Sequence, residues 1–374
     1  MSAWTAINNG VVDAATKTRQ KYWAHWTNYS ESFGQNPLLD GLSDMHKLVI
    51  LTAFAARVRT GYFGRGDQVR VPSITEALSA VAKTIQLAGK PSPIHETEGI
   101  YKVPVARLVE GYRREDPPSV PQLAIPIDVP RAMQSKGYST ECPKARAIGD
   151  LGVVAFFYLL RVGEYTKPRY TTFNGLKKRA TRTIQFRVCD VGFFKEGTIL
   201  PRNSTLTHLL TATSCTLKIT NQKNGRMGQT VHHHATKQHS CPVKALAHRI
   251  NHILANKGTS KNLLCDVWNK TKQGWDQITN KDMTQGLRTA VRDLNLHNKG
   301  IEADLVGPHS LRAGGAMALK LNGADDTTIM KMGRWSGLTF LQYIHNQIAH
   351  ISTGLSDQMN TRLEFHNIAA IEKA

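Results

Sequence analysis

Pro308-His309-Ser310-Leu311-Arg312 opens a helix, because a proline is preorganised for the first helical turn. At i,i+3 spacing, His309 and Arg312 then share one face. An imidazole beside a guanidinium suits a phosphate whose oxygens gain charge during reaction. An ordinary basic helix start carries the same letters, so the motif gains meaning only from its companions.

Upstream, Leu159-Leu160-Arg161-Val162-Gly163-Glu164-Tyr165 closes an apolar helix expected over Ala145 to Arg161. An arginine there is costly to bury alone, and Glu164 is placed to satisfy and orient it. A plain buried ion pair is the alternative. Further on, Gln222-Lys223-Asn224-Gly225-Arg226 marks a hairpin tip, since Asn-Gly tolerates positive φ. A tip lysine is usually solvated, but Lys223 is also placed to enter a DNA groove and reach a phosphate ester oxygen. Downstream, Asp325 is expected to cap a helix ending at Gly333, just before Arg334 and Trp335. A second short helix begins near Gly337. Its buried stripe is Leu341, Ile344 and Ile348, which leaves Tyr343 on the flank, where packing is the plainer use.

The 374 residues carry 48 Lys+Arg against 28 Asp+Glu, a net charge of +20. Up to Val120 there are 14 basic and 11 acidic residues; from Pro121 onward, 34 and 17. A field that lopsided points to a polyanionic partner, most simply nucleic acid. The longest apolar run, Leu151 to Leu160, is half of a membrane span. No secretory signal is read at the start, and five scattered cysteines without a CxxC pair read as reduced thiols of an intracellular protein. His232, His233, His234, His239 and Cys241 form a conspicuous group. Consecutive strand residues face opposite ways, however, so no metal site is expected there. Lys177 to Arg182 reads equally as a nuclear import signal or a phosphate-contacting loop.

Four helices are expected in the first part: Lys17 to Trp26, Asp44 to Arg59, one that starts after Pro72 with a Ser73/Glu76 capping box and continues to about Leu87, and Val105 to Arg114. Prolines 117, 118, 121, 126 and 130 then punctuate the chain. The expected organisation is a helical domain over 1–115, a linker over 116–127 and a second domain over 128–374. In the second domain, strands are expected at Thr183 to Val188, Thr216 to Thr220 and Gln229 to His233, with helices and loops after Pro242. The fold class is mainly α with a small antiparallel β-sheet.

Taken in order, Arg161, Lys223, His309, Arg312, Trp335 and Tyr343 resemble the catalytic set of the tyrosine recombinases, the phage-integrase-like superfamily. The phrases LLRVGEYT and HSLRAGGAMALKLNGADD look most like recombinases of eukaryotic mobile elements of the crypton and DIRS type. Trp335 stands where the family has His or Trp, 23 residues after Arg312. Tyr343 follows after eight residues, where many members have nine. Lys218 competes for the lysine role; Lys223 is favoured because it sits at the turn. The resemblance implies a helical core-binding domain that clamps DNA, a catalytic domain, and a tail from about His350 that docks on a neighbouring subunit.

It also implies chemistry. Tyr343 attacks a backbone phosphate of double-stranded DNA and leaves a 3′-phosphotyrosyl bond. Arg161 and Arg312 hold the non-bridging oxygens, Lys223 protonates the leaving 5′-oxygen, His309 accepts the tyrosine proton, and Trp335 donates its indole N–H. The bond energy is conserved in the adduct, so neither ATP, metal nor another cofactor is implied. The expected activity is site-specific recombination by a homo-oligomer, a tetramer on DNA, in the integration or excision of a mobile element. The expected location is the nucleus if the host is eukaryotic. A type IB topoisomerase carries a similar constellation, and a DNA-binding protein that no longer cuts is the rival from another class.

Overall fold

The computed structural model describes residues 13–343, except 65, 119–122, 174–175, 180–182, 221–227 and 239. The chain divides into two compact units. One comprises Met1–Val120 with Arg169–Arg182, the other Pro121–Pro168 with Thr183–Ala374.

In the first unit four helices gather around apolar stripes: α1 (Asp13–Glu31), α2 (Asp44–Arg59), α3 (Val71–Leu87) and α4 (Val103–Glu115). Trp26 is fully buried beside Phe54, and its indole N–H donates to the Pro37 carbonyl at 2.8 Å. Ser43 caps α2 through the His46 amide. The expected Ser73/Glu76 box does not form. With Pro72 in its first turn, α3 begins three residues earlier than the box requires, on Arg70 as cap. A two-residue turn links β1 (His95–Thr97) to β2 (Ile100–Tyr101). The hairpin of β3 (Tyr170–Phe173) and β4 (Leu176–Arg179) also belongs to this unit.

The second unit opens with α5 (Asp128–Tyr138), which takes Pro130 into its first turn, packed on α6 (Pro143–Phe157). The expected helix through Arg161 stops at Phe157 instead. Leu159 turns left-handed at φ 49°, the Leu160 amide closes back on the Ala155 carbonyl, and Arg161 becomes the extended cap of α7 (Val162–Tyr165). A left-handed leucine is unfavourable locally. Complete burial of its side chain against Ala316, Ile329, Trp335 and Phe340 offsets that cost.

A four-stranded antiparallel sheet follows, ordered β6-β5-β7-β8, from β5 (Val191–Lys195), β6 (Thr198–Leu200), β7 (Ser214–Ile219) and β8 (Gln229–His234). Cys215, Leu217 and Ile219 face the core, and His233 lies edge-on to buried Tyr158. Between β6 and β7 lies a single-turn helix, α8 (Leu206–Leu209). The expected strand at Thr183 to Val188 is absent. Its alternation reflects burial of Thr183, Gln185 and Phe186, while its backbone pairing is limited to bonds with the Glu164 carbonyl, the Leu264 amide and the Asn262 carbonyl around an isolated Arg187–Leu263 bridge. After α9 (Pro242–Ala255) comes an unexpected hairpin, β9 (Asp266–Asn269) with β10 (Gly274–Gln277), closed by Trp268 against Trp275 at 5.3 Å. Three helices finish the described chain: α10 (Asn280–Asp293), α11 (Pro308–Leu321) and α12 (Asp326–Gly333). A 3₁₀ turn over Leu338–Tyr343 follows them. The architecture is mainly helical with small antiparallel sheets. No described helix is long and apolar enough to cross a membrane.

Candidate active site

Helix α11 carries His309 and Arg312 in its first turns. Gly307 and Ser310 close its start: the Ser310 hydroxyl accepts from the Gly307 amide at 3.2 Å. Gly315 lets this helix lie against the end of α6, where a methyl would overlap the Phe156 carbonyl and the Leu159 side chain. That close approach brings the Arg312 guanidinium to the turned-out Leu159 carbonyl, which it bonds through Nη1. Its Nη2 donates to the Gly333 carbonyl at 2.6 Å. One arginine therefore joins the ends of three helices: α6, α11 and α12.

Trp335 covers this arginine, with the guanidinium carbon 4.1 Å from the ring centroid. Such stacking is worth more once desolvated, and Arg312 is only 1% exposed. Phe340 is fully buried beside Trp335, at 5.7 Å between ring centroids. Leu341, expected in the buried stripe, is instead 42% exposed, because three residues per turn bring Phe340 inward. Ile344 and Ile348 lie outside the described residues.

Arg161 is the more accessible guanidinium, its side chain 23% exposed. Its expected partner Glu164 bonds the Arg161 backbone amide at 2.8 Å, but the guanidinium only at 3.5 Å. The carboxylate is taken mainly by Arg334, which sequence reading passed over. Arg334 Nη1 and Nη2 fork onto the two Glu164 oxygens at 3.1 Å each, and Nη2 also donates to the Leu159 carbonyl at 3.0 Å. A buried carboxylate in an apolar run demands a cation, and Arg334 beside Trp335 was the available signal. His309 lies within electrostatic reach of both Arg312 and Arg161. Burial first, and these cations second, hold its imidazole below the ordinary range.

Arg161, His309, Arg312 and Trp335 thus come together from distant parts of the chain. Lys223 lies outside the described residues, whereas Lys218 is exposed on β7. Tyr343 ends the 3₁₀ turn that begins three residues after Trp335, and its side chain likewise lies outside the description. Among the described residues, no three His, Cys, Asp or Glu side chains gather as a metal site would require.

No protein-family model and no curated protein matches this chain. Solved structures do resemble it. The XerH site-specific recombinase bound to palindromic difH substrate, in a post-cleavage complex, aligns with a TM-score of 0.49 at 14% identity, over 86% of this chain and 74% of the other. The Tn1549 transposon integrase in complex with transposon right-end DNA gives 0.45 at 12%, over 83% and 85%. The XerA recombinase gives 0.37 at 15%, over 96% and 97%.

Proposed function

We propose that this protein is a tyrosine recombinase of the phage-integrase-like superfamily, one that cuts and rejoins duplex DNA through a 3′-phosphotyrosyl intermediate. The observation that carries this reading is the convergence of Arg161, His309 and Arg312 around one carbonyl turn, roofed by Trp335. Arg161 forks the non-bridging oxygens from the exposed side, while Arg312 contributes its charge from beneath, where low polarity strengthens it. Tyr343 Oη bonds to phosphorus as the bond to the 5′-oxygen breaks. The tyrosine proton passes to His309, and Lys223 protonates the departing oxygen. The crypton/DIRS affinity, the core-binding role of the first domain, the action as an oligomer and the task of moving a mobile element belong to the same proposal.

Covalent trapping tests it. The chain and its Tyr343→Phe variant are incubated with a pool of randomised nicked duplexes, and denaturant-resistant adducts are sequenced. An adduct that requires Tyr343 and leaves a free 5′-hydroxyl is the expected result. Adducts scattered without a preferred sequence favour the topoisomerase reading. Tight binding without any adduct favours a DNA-binding protein that no longer cuts.

A further inference from the structure

We propose that the second unit carries a binding site for a phosphate oxyanion between α5 and α9, built from Arg131, Ser135, Lys244 and His248. None of these residues belongs to the set proposed for cleavage.

Arg131, Gln134, Ser135 and Tyr138 stand at i, i+3, i+4 and i+7 along α5, a spacing that places them on one face. Such a stripe is ordinarily apolar where a helix meets its neighbours; here it is polar, with one tyrosine ring. Lys244 and His248 stand at i,i+4 along α9, and the residues between them, Ala245, Leu246 and Ala247, are buried. Both helices pack on α6, and a hollow of about 260 Å³ opens between the two stripes. Pockets for drug-sized ligands run to roughly 300–1,000 Å³, so this one suits a small group better than a whole nucleotide.

The framework is fixed before any ligand arrives. Helices α5 and α6 meet backbone to backbone: a methyl on Gly149 would come within 2.5 Å of the Gln134 Cα, and one on Gly137 within 2.7 Å of the Ala145 carbonyl oxygen. Beneath the hollow, the Gln134 amide and the Tyr138 hydroxyl both donate to buried Asp150. Tyr138 thus turns its polar end inward. Its ring is held with His248 edge-on at 5.2 Å and the Arg146 guanidinium 5.8 Å from its centroid.

The groups that line the hollow are donors. Arg131 holds Asp128 through Nη1 at 3.2 Å, but its buried Nε has no hydrogen-bond partner among the described residues. A buried donor left unmade is unfavourable, and an oxyanion would satisfy it. Lys244 is exposed and joins no ion pair among the described residues. Burial first, then the charges of Arg146 and Lys244, hold the His248 imidazole below its ordinary range, so the field at that ring is positive. Shape selects among anions. A carboxylate presents two oxygens in one plane, whereas a phosphate presents oxygens around a centre and can meet donors from both helices at once. Inorganic phosphate and a DNA backbone phosphate share this chemistry.

The full chain is titrated with inorganic phosphate at constant ionic strength while the ring signals of His248 are followed by NMR. A saturable shift is expected, together with a higher His248 midpoint, because a bound anion favours the imidazolium. Lys244→Gln changes a surface residue and leaves the α5–α6 framework alone. It should weaken phosphate binding about tenfold, the size of a lost charge-assisted hydrogen bond. Lys136→Gln removes a charge from α5 outside the hollow and should leave binding unchanged. Duplex DNA supplies a second arm. If Lys244→Gln lowers the slope of log affinity against log salt by about one, the site takes a backbone phosphate; if the slope is unchanged, it takes free phosphate.

Either slope supports the site once phosphate binding saturates and depends on Lys244. A His248 signal that drifts without saturating overturns the proposal, and so does a Lys244→Gln chain that binds phosphate as the natural one does. Equal weakening by Lys244→Gln and Lys136→Gln also overturns it, since a diffuse basic surface predicts that result. The phosphate titration involves no cleavage. A chain that forms no covalent adduct therefore sinks the cleavage reading and leaves this site to its own test.

Discussion

His309 illustrates how burial and two neighbours set one residue's chemistry. Its imidazole is largely enclosed, and Arg312 and Arg161 add positive charge, so all three influences favour the neutral form. A neutral imidazole can take a proton from tyrosine; an imidazolium cannot. The titration of His309, followed by NMR, is expected to have its midpoint below about 6.5, the value for an unperturbed histidine. Arg161→Gln removes one of the two cations and should move that midpoint upward. A midpoint that stays put in the variant would remove Arg161 from the electrostatics of the site. Adduct formation should follow the same curve, rising with pH through the midpoint and flat at neutrality.

Elements show where sequence was legible and where it was not. Helices α11 and α12 could be read closely because their ends are chemical: Pro308 and Asp325 each mark a start that local physics enforces. The end of α6 could not, since nothing in Tyr158-Leu159-Leu160 announces a left-handed turn. That turn exists because Leu159 finds a pocket among Ala316, Ile329, Trp335 and Phe340, far along the chain, a tertiary fact. The β9–β10 hairpin was missed for a similar reason, its Trp268–Trp275 pair forming only once the strands meet. His309, Arg312 and Trp335, singled out in the sequence, do come together in the fold, but the arginine that pairs with Glu164 was a matter of distance, not spacing.

The α5–α6 pair also buries an acid. Asp150 is 2% exposed and accepts hydrogen bonds from Gln134 at 2.9 Å and from the Tyr138 hydroxyl. Burial pushes its carboxyl up to about 7, against the help of Gln134, Arg249, Tyr138 and Arg146. The folded chain thus holds a proton that the unfolded chain releases above about pH 4. Stability from this group is complete below that pH and drains away as pH rises towards 7. Asp150→Asn keeps an acceptor for both neighbours and has no proton to lose. Its stability relative to the natural chain should therefore improve by an amount on the order of 3 kcal/mol between pH 4 and pH 8, then level off. Denaturant titrations of both chains across that range measure the gap, and a gap independent of pH would refute the assignment.

At the scale of the whole molecule, charge and site belong together. From Pro121 onward the chain carries 34 basic and 17 acidic residues, whereas the part before it is nearly balanced. Ion pairs do not absorb this excess. Where salt bridges form, each acid is already engaged, as Asp304 is by Arg288 and Arg292, and Asp282 by Lys144. If duplex DNA is the partner, as proposed, such a field would bind it by releasing condensed counterions, whether or not the protein cuts. Affinity for a duplex should therefore fall steeply with salt, by about 10³ to 10⁵ between 50 and 200 mM if six to ten phosphates are neutralised. Tyr343→Phe removes no charge, so its salt slope should superimpose on that of the natural chain while adduct formation is lost. The two measurements separate roles that one residue change would otherwise confuse. A slope near zero in the natural chain would mean that the excess charge serves something other than a polyanion. An altered slope in Tyr343→Phe would mean that the tyrosine acts in binding, not only in bond making.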